Sequence, residues 1–131
     1  MDRIAQKEES FSTLSQPFAR ALNLVHLARQ SAGDVALERE LLALFGQQSR
    51  VILAQISTGS VAHNASHCAE LVHRLRGSAL AVGAEGVAEA AEACEAHLNA
   101  AKSADANAPC FAALGEAVAR ADEVIDALLA A

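Results

Sequence analysis

Apolar residues recur at steps of three and four through most of the chain, and short polar or glycine-containing breaks interrupt them. That spacing puts each apolar series on one face of a helix. Asn23 is a suitable N-cap for a short helix carrying Leu24, Leu27 and Ala28, which stops near Gly33. Asp34 opens a long second helix over about residues 34–57, with Leu37, Leu41, Leu44, Phe45, Val51, Ile52 and Ile56 on its predicted buried face and Gln48 the only polar residue in that series. Thr58-Gly59-Ser60 ends it. A third helix runs from about Asn64 to Val82, with Gly83 placed as a C-cap. The fourth covers about 85–102, with a stripe of Val87, Ala91, Cys94, Leu98 and Ala101. After a loop from Ser103 to Pro109, the last helix, about 109–129, buries Phe111, Leu114, Val118, Ala121, Ile125 and Leu128.

Residues 1–22 are mixed and polar around Pro17 and read as an N-terminal arm, leaving 23–131 as one domain without internal repeats. Short connections between long amphipathic helices favour antiparallel neighbours. The expected fold is all-α: an up-down antiparallel four-helix bundle with an additional short N-terminal helix.

Composition strengthens this reading. The chain holds 32 Ala and 16 Leu, no Trp or Tyr, and only 7 Gly and 2 Pro in 131 residues. Strong helix formers dominate and strand formers are scarce, which argues against a sandwich, a barrel or a disordered tail. Sixteen acidic against ten basic residues give a net charge of −6 without a basic run, so a nucleic-acid partner is not expected. The N-terminus lacks a signal-peptide apolar core, and no run of about 18 uncharged apolar residues suggests a membrane span. Cys68, Cys94 and Cys110 are an odd set with no close pair, and read as small core residues in a reducing compartment. A cytoplasmic monomer without cofactor is the expectation, and the Met-initiated chain favours a free-standing protein.

The third helix carries the chemistry. At about 100° per residue, Cys68, Val72, Leu75, Ala79 and Val82 fall within about 80° and form the inner stripe. His73 points about 135° away from it, Leu80 lies within about 20° of His73, and Gly77 is almost opposite the core. A glycine inside a helix costs about 1 kcal/mol relative to alanine. In a chain this rich in alanine, Gly77 therefore needs another reason, and a bare patch beside a histidine lets a second molecule approach closely. Arg76 sets a fixed positive charge next to the imidazole. A protein partner docking here, with an anion handled at His73, accounts for all of these features.

The run His73-Arg74-Leu75-Arg76-Gly77-Ser78-Ala79, followed by Gly83-Ala84, resembles the signature of histidine-containing phosphotransfer (HPt) domains. That signature has an apolar residue two after the histidine, a base three after, glycine four after and a further glycine ten after. Leu24 to Phe45, with Gly33-Asp34 and Glu40-Leu41-Leu42-Ala43-Leu44-Phe45, looks like the family's first helices, so the resemblance spans about 23–129. Arginine at 76 replaces the commoner lysine, keeping the charge with a different donor geometry.

The resemblance implies a phosphorelay carrier in two-component signalling, with no kinase activity of its own. The neutral imidazole of His73 takes a phosphoryl group from the aspartyl phosphate of a receiver domain and passes it to another receiver. The partners implied are receiver domains of response regulators or hybrid histidine kinases, which would also bring the metal and most of the transition-state stabilisation. Arg76 would offset phosphoryl charge, Gly77 would give steric access, and Leu80 and Arg74 would contact the partner; Phe45 and Leu44 would join that docking surface or fit equally well in the core. The family often has Gln 22 residues after the histidine, bonding the other ring nitrogen. Glu95 stands there, where its carboxylate would accept from Nδ1–H and leave Nε2 as nucleophile.

Three other classes compete with this reading. A di-iron bundle needs two inward Glu-x-x-His segments, whereas Glu70-Leu71-Val72-His73 is the only such segment and faces outward; His63 and His67, four apart, lie near the helix start. A non-catalytic adaptor that binds receivers would not require His73. A sensor kinase is disfavoured, because Arg74 follows the histidine, no Pro lies in that helix and the length leaves no ATP-binding region.

Overall fold

The computed structural model describes residues 21–58, 64–101 and 108–131. The expected arm up to residue 20, His63, the Gly59-Ser60 break and most of the loop after Lys102 lie outside the described residues. Five helices are present among those described: α1 Leu24–Gln30, α2 Val35–Ile56, α3 Ala65–Val82, α4 Glu85–Ala101 and α5 Pro109–Ala130, with no strand.

Local chemistry sets their ends. The side chains of Asn23, Asp34 and Asn64 accept from the backbone N–H of His26, Leu37 and His67 at 3.1, 3.1 and 3.0 Å, satisfying donors that a helix start leaves unpaired. α5 opens on Pro109, whose missing N–H costs nothing there. α3 stops at Gly83 in the left-handed region, φ 81°. There the chain also closes on α1: the Asn23 N–H donates to the Gly83 carbonyl at 2.7 Å, and Asn23 Nδ2 donates to Glu85 Oε1 at 2.9 Å. A Cβ at position 83 would stand 2.8 Å from the Asn23 carbonyl oxygen, so glycine is demanded by the dihedral and by the close approach together.

α3 and α4 share the most extensive contact, joined by a two-residue turn that makes them antiparallel. α4 packs on α5, and α2 packs on both α3 and α5, which closes a four-helix ring with α1 against the end of α3. The core is built from Leu42, Phe45 and Ile52 of α2, Val72 and Leu75 of α3, Val87 and Leu98 of α4, and Leu114, Val118 and Ile125 of α5. Ala79, Ala91 and Ala121 are fully buried where helices approach closely. Arg39 reaches from α2 to the carbonyls of Leu128 and Leu129, placing a cation on the acceptor end of α5. Cys68 and Cys94 are buried thiols outside any disulfide; Cys94 donates to the Cys110 carbonyl at 3.0 Å, and burial pushes its thiol pKa up.

Several predicted faces shift. Leu22 is fully buried and Ala21 nearly so, and the core therefore takes in residues assigned to the arm. On α2 the buried positions are Leu42, Phe45, Gly46, Ser49, Ile52 and Ile56, while Leu37, Leu44 and Val51 are exposed. The inner face is rotated from the apolar series because small residues hold the closest approach. Gly46 lies against Asp122, and buried Ser49 satisfies its hydroxyl on the Gly46 carbonyl at 3.0 Å. On α4, Ala101 is exposed, and on α5, Phe111 and Leu128 are only half-buried, with Ala117 inside instead.

Candidate functional site

The inner stripe of α3 fixes which way the helix faces. Cys68, Leu71, Val72, Leu75, Ala79 and Val82 are all buried, and this turns His73, Gly77 and Leu80 to solvent. The His73 side chain is 70% exposed. Its Nδ1 lies 3.0 Å from Glu95 Oε1 and 3.1 Å from Oε2, across the α3–α4 interface. Glu95 is only 21% exposed, anchored on α4 between the buried Cys94 and Leu98. A carboxylate only accepts, so Nδ1 supplies the proton of this contact, and in the neutral ring the Nε2 lone pair is left free on an accessible face.

Apolar, basic and acidic side chains surround the histidine. Among the described residues a Cβ added at Gly77 meets nothing within 4 Å, and no contact between them requires the glycine. Leu80, 51% exposed, lies with half-buried Arg76 along a cleft between α3 and α4 lined by Ala88 and the carboxylates Glu85, Glu89 and Glu92. On the other side, exposed Arg74 lines a groove between α3 and α2 with Leu44, Gln47, Gln48, Val51 and Gln55. The two arginines thus stand on opposite flanks of the histidine.

Phe45 is a correction. Offered both to the docking surface and to the core, it is 2% exposed and belongs to the core alone, since the inner face of α2 is centred on it. Leu44 and Val51, 55% and 50% exposed, occupy the surface beside Arg74 instead. Periodicity alone placed both in the buried series; their separation of seven, two turns on one line, is the signal that allows a second apolar face. Among the described residues no group of three or more His, Cys, Asp or Glu side chains is arranged to hold a metal ion. No described helix is long and apolar enough to cross a membrane.

The model of the Hpt domain family matches residues 40–129, and the chain belongs to that family, the phosphorelay histidine carriers of two-component signalling. The fold is similar to the crystal structure of the HPT domain from a Shewanella Hpt sensor hybrid histidine kinase. The TM-score is 0.72 at 15% identity, covering 86% of this chain and 96% of that one. No curated protein matches the sequence.

Proposed function

We propose that the chain carries a phosphoryl group on His73 Nε2 between receiver domains. The observation that carries this reading is the exposed imidazole whose Nδ1 is held by Glu95. One helix face presents the nucleophile, and a second helix fixes its tautomer. The Nε2 lone pair attacks the phosphorus of an aspartyl phosphate on a docked receiver, and the aspartate leaves as a carboxylate. The same bond changes in reverse pass the group to a second receiver. Arg76 and Arg74 offset the charge of the phosphoryl oxygens. Gly77 leaves room for the receiver's backbone, and Leu80, Leu44 and Val51 supply apolar contact area around the histidine. The carrier has no kinase activity of its own, and its docking face is left free in a monomer.

The test is incubation with a phosphorylated receiver. Label should move to the chain as an acid-labile, base-stable adduct. ATP alone should give none. Binding of a receiver without any transfer would support an adaptor instead.

A further inference from the structure

Orienting a ring needs only a hydrogen-bond acceptor, and an amide oxygen would suffice. Position 95 holds a carboxylate, with both oxygens within 3.1 Å of His73 Nδ1. The difference is one negative charge, and it acts when the ring becomes a cation. That happens in the phosphorylated state of the phosphorelay reading, on which this inference rests. When the Nε2 lone pair forms the N–P bond and the aspartyl O–P bond breaks, the electron pair departs on the aspartate oxygen. The Nδ1 proton stays, and the ring carries one positive charge. In onward transfer the second aspartate forms a new O–P bond, the N–P pair returns to Nε2, and the ring is neutral again. A phosphorylated ring that had lost its Nδ1 proton would have to leave as an imidazolate, a far poorer leaving group.

We propose that Glu95 keeps the Nδ1 proton on the phosphorylated ring, so that phosphohistidine persists in the cationic form that releases its phosphoryl group. In this state the contact across α3 and α4 becomes an ion pair. Glu95 acts through His73 and is a positioning residue.

The other charges around the ring do not substitute for it. On α3, Glu70 is exposed one turn before His73, and Arg74 and Arg76 flank it. On α4, exposed Glu92 lies one turn before Glu95, and His97 is half-buried two residues after it. α2 brings uncharged Gln47 and Gln48 to the groove beside Arg74, while Asp122 of α5 pairs with Arg50 at 3.9 Å. α1 meets α3 at the Gly83 end, well along the helix.

The experiment compares the full chain with Glu95→Gln, which keeps an acceptor and removes the charge. His73 is loaded with phosphoramidate, and Nδ1 protonation is followed by ¹⁵N NMR from pH 6 to 10. Onward transfer to an unphosphorylated receiver is timed over the same range. An ion pair this exposed is worth about a 1.5- to 5-fold change in proton affinity. The loss of the Nδ1 proton, and the alkaline fall in transfer, should therefore move down by about 0.2 to 0.7 of a pH unit in Glu95→Gln. Coincident profiles in the two proteins overturn the proposal while leaving the relay reading intact. Loading of His73 by phosphoramidate with no exchange to any receiver overturns both.

Discussion

Gly77 separates what the fold wants from what the function wants, and substitution there tests both at once. Nothing lies within 4 Å of the Cβ that alanine would introduce, so the folded chain accepts it without a clash. The residue sits inside α3, with five residues of helix remaining after it. Replacing glycine by alanine in such a position gains about 0.8–1 kcal/mol from backbone entropy alone, and leucine gains slightly less. For a domain of this size that raises the melting midpoint by about 3–6 °C. The function responds in the opposite direction. In Gly77→Leu the new side chain would project from the face that carries His73 and Leu80, into the space that the docked receiver's backbone needs. Forcing extra methylenes into a close-packed contact costs about 1–3 kcal/mol, a loss of about 5- to 150-fold in affinity. Gly77→Ala and Gly77→Leu should both melt higher than the parent, and Gly77→Leu should accept phosphate from a receiver far more slowly at limiting receiver concentration. Thermal unfolding by circular dichroism and a transfer time course read the two effects on the same samples. Undiminished transfer in Gly77→Leu would refute the steric argument, and a lower melting point in Gly77→Ala would refute the claim that the site is open.

Gly83→Ala should behave differently from Gly77→Ala, because its φ of 81° and a 2.8 Å approach to the Asn23 carbonyl leave no place for a Cβ; denaturant unfolding should show a loss of about 1–3 kcal/mol. Asp122→Asn should stabilise the bundle at neutral pH. Burial raises the Asp122 carboxyl above its usual value, Arg50 lowers it in part and Asp126 raises it further, while Oδ1 is buried without a hydrogen-bond partner. The folded state therefore holds this proton more tightly than the unfolded chain. The stability difference between variant and parent should widen as pH rises from the unfolded carboxylate range through the raised folded value, then level off. A constant difference between pH 3 and 7 in urea titrations would contradict that origin.

The order and ends of the described helices were legible because each is written in local chemistry: Asn23, Asp34 and Asn64 cap the starts, and Gly83 stops α3. The outward placement of His73, Gly77 and Leu80 followed from the α3 stripe, since that helix has one unambiguous apolar face. α2 has an apolar arc wider than its contact with the core, and periodicity cannot say which edge stays wet. The decision falls to Gly46 and Ser49, small residues whose burial depends on how closely α5 and α3 approach. Phe45 went to the core and Leu44 to the surface for that reason. The clasp of Asn23 on Gly83, the reach of Arg39 to the end of α5, and the His73–Glu95 pair join residues 60, 89–90 and 22 positions apart. Contacts of that kind are set by packing between helices. Only the last was anticipated, and through a resemblance to a family rather than through spacing.

Everything proposed for this surface depends on His73 being the residue that takes the phosphate. The decisive assay is transfer of label from a phosphorylated receiver to the parent chain and to His73→Gln, with melting curves recorded alongside. Because the side chain is exposed, the variant should fold like the parent and take no label, while the parent gains an acid-labile, base-stable adduct at residue 73. Equal labelling of a well-folded His73→Gln chain would show that the phosphate sits elsewhere and that the assignment is wrong.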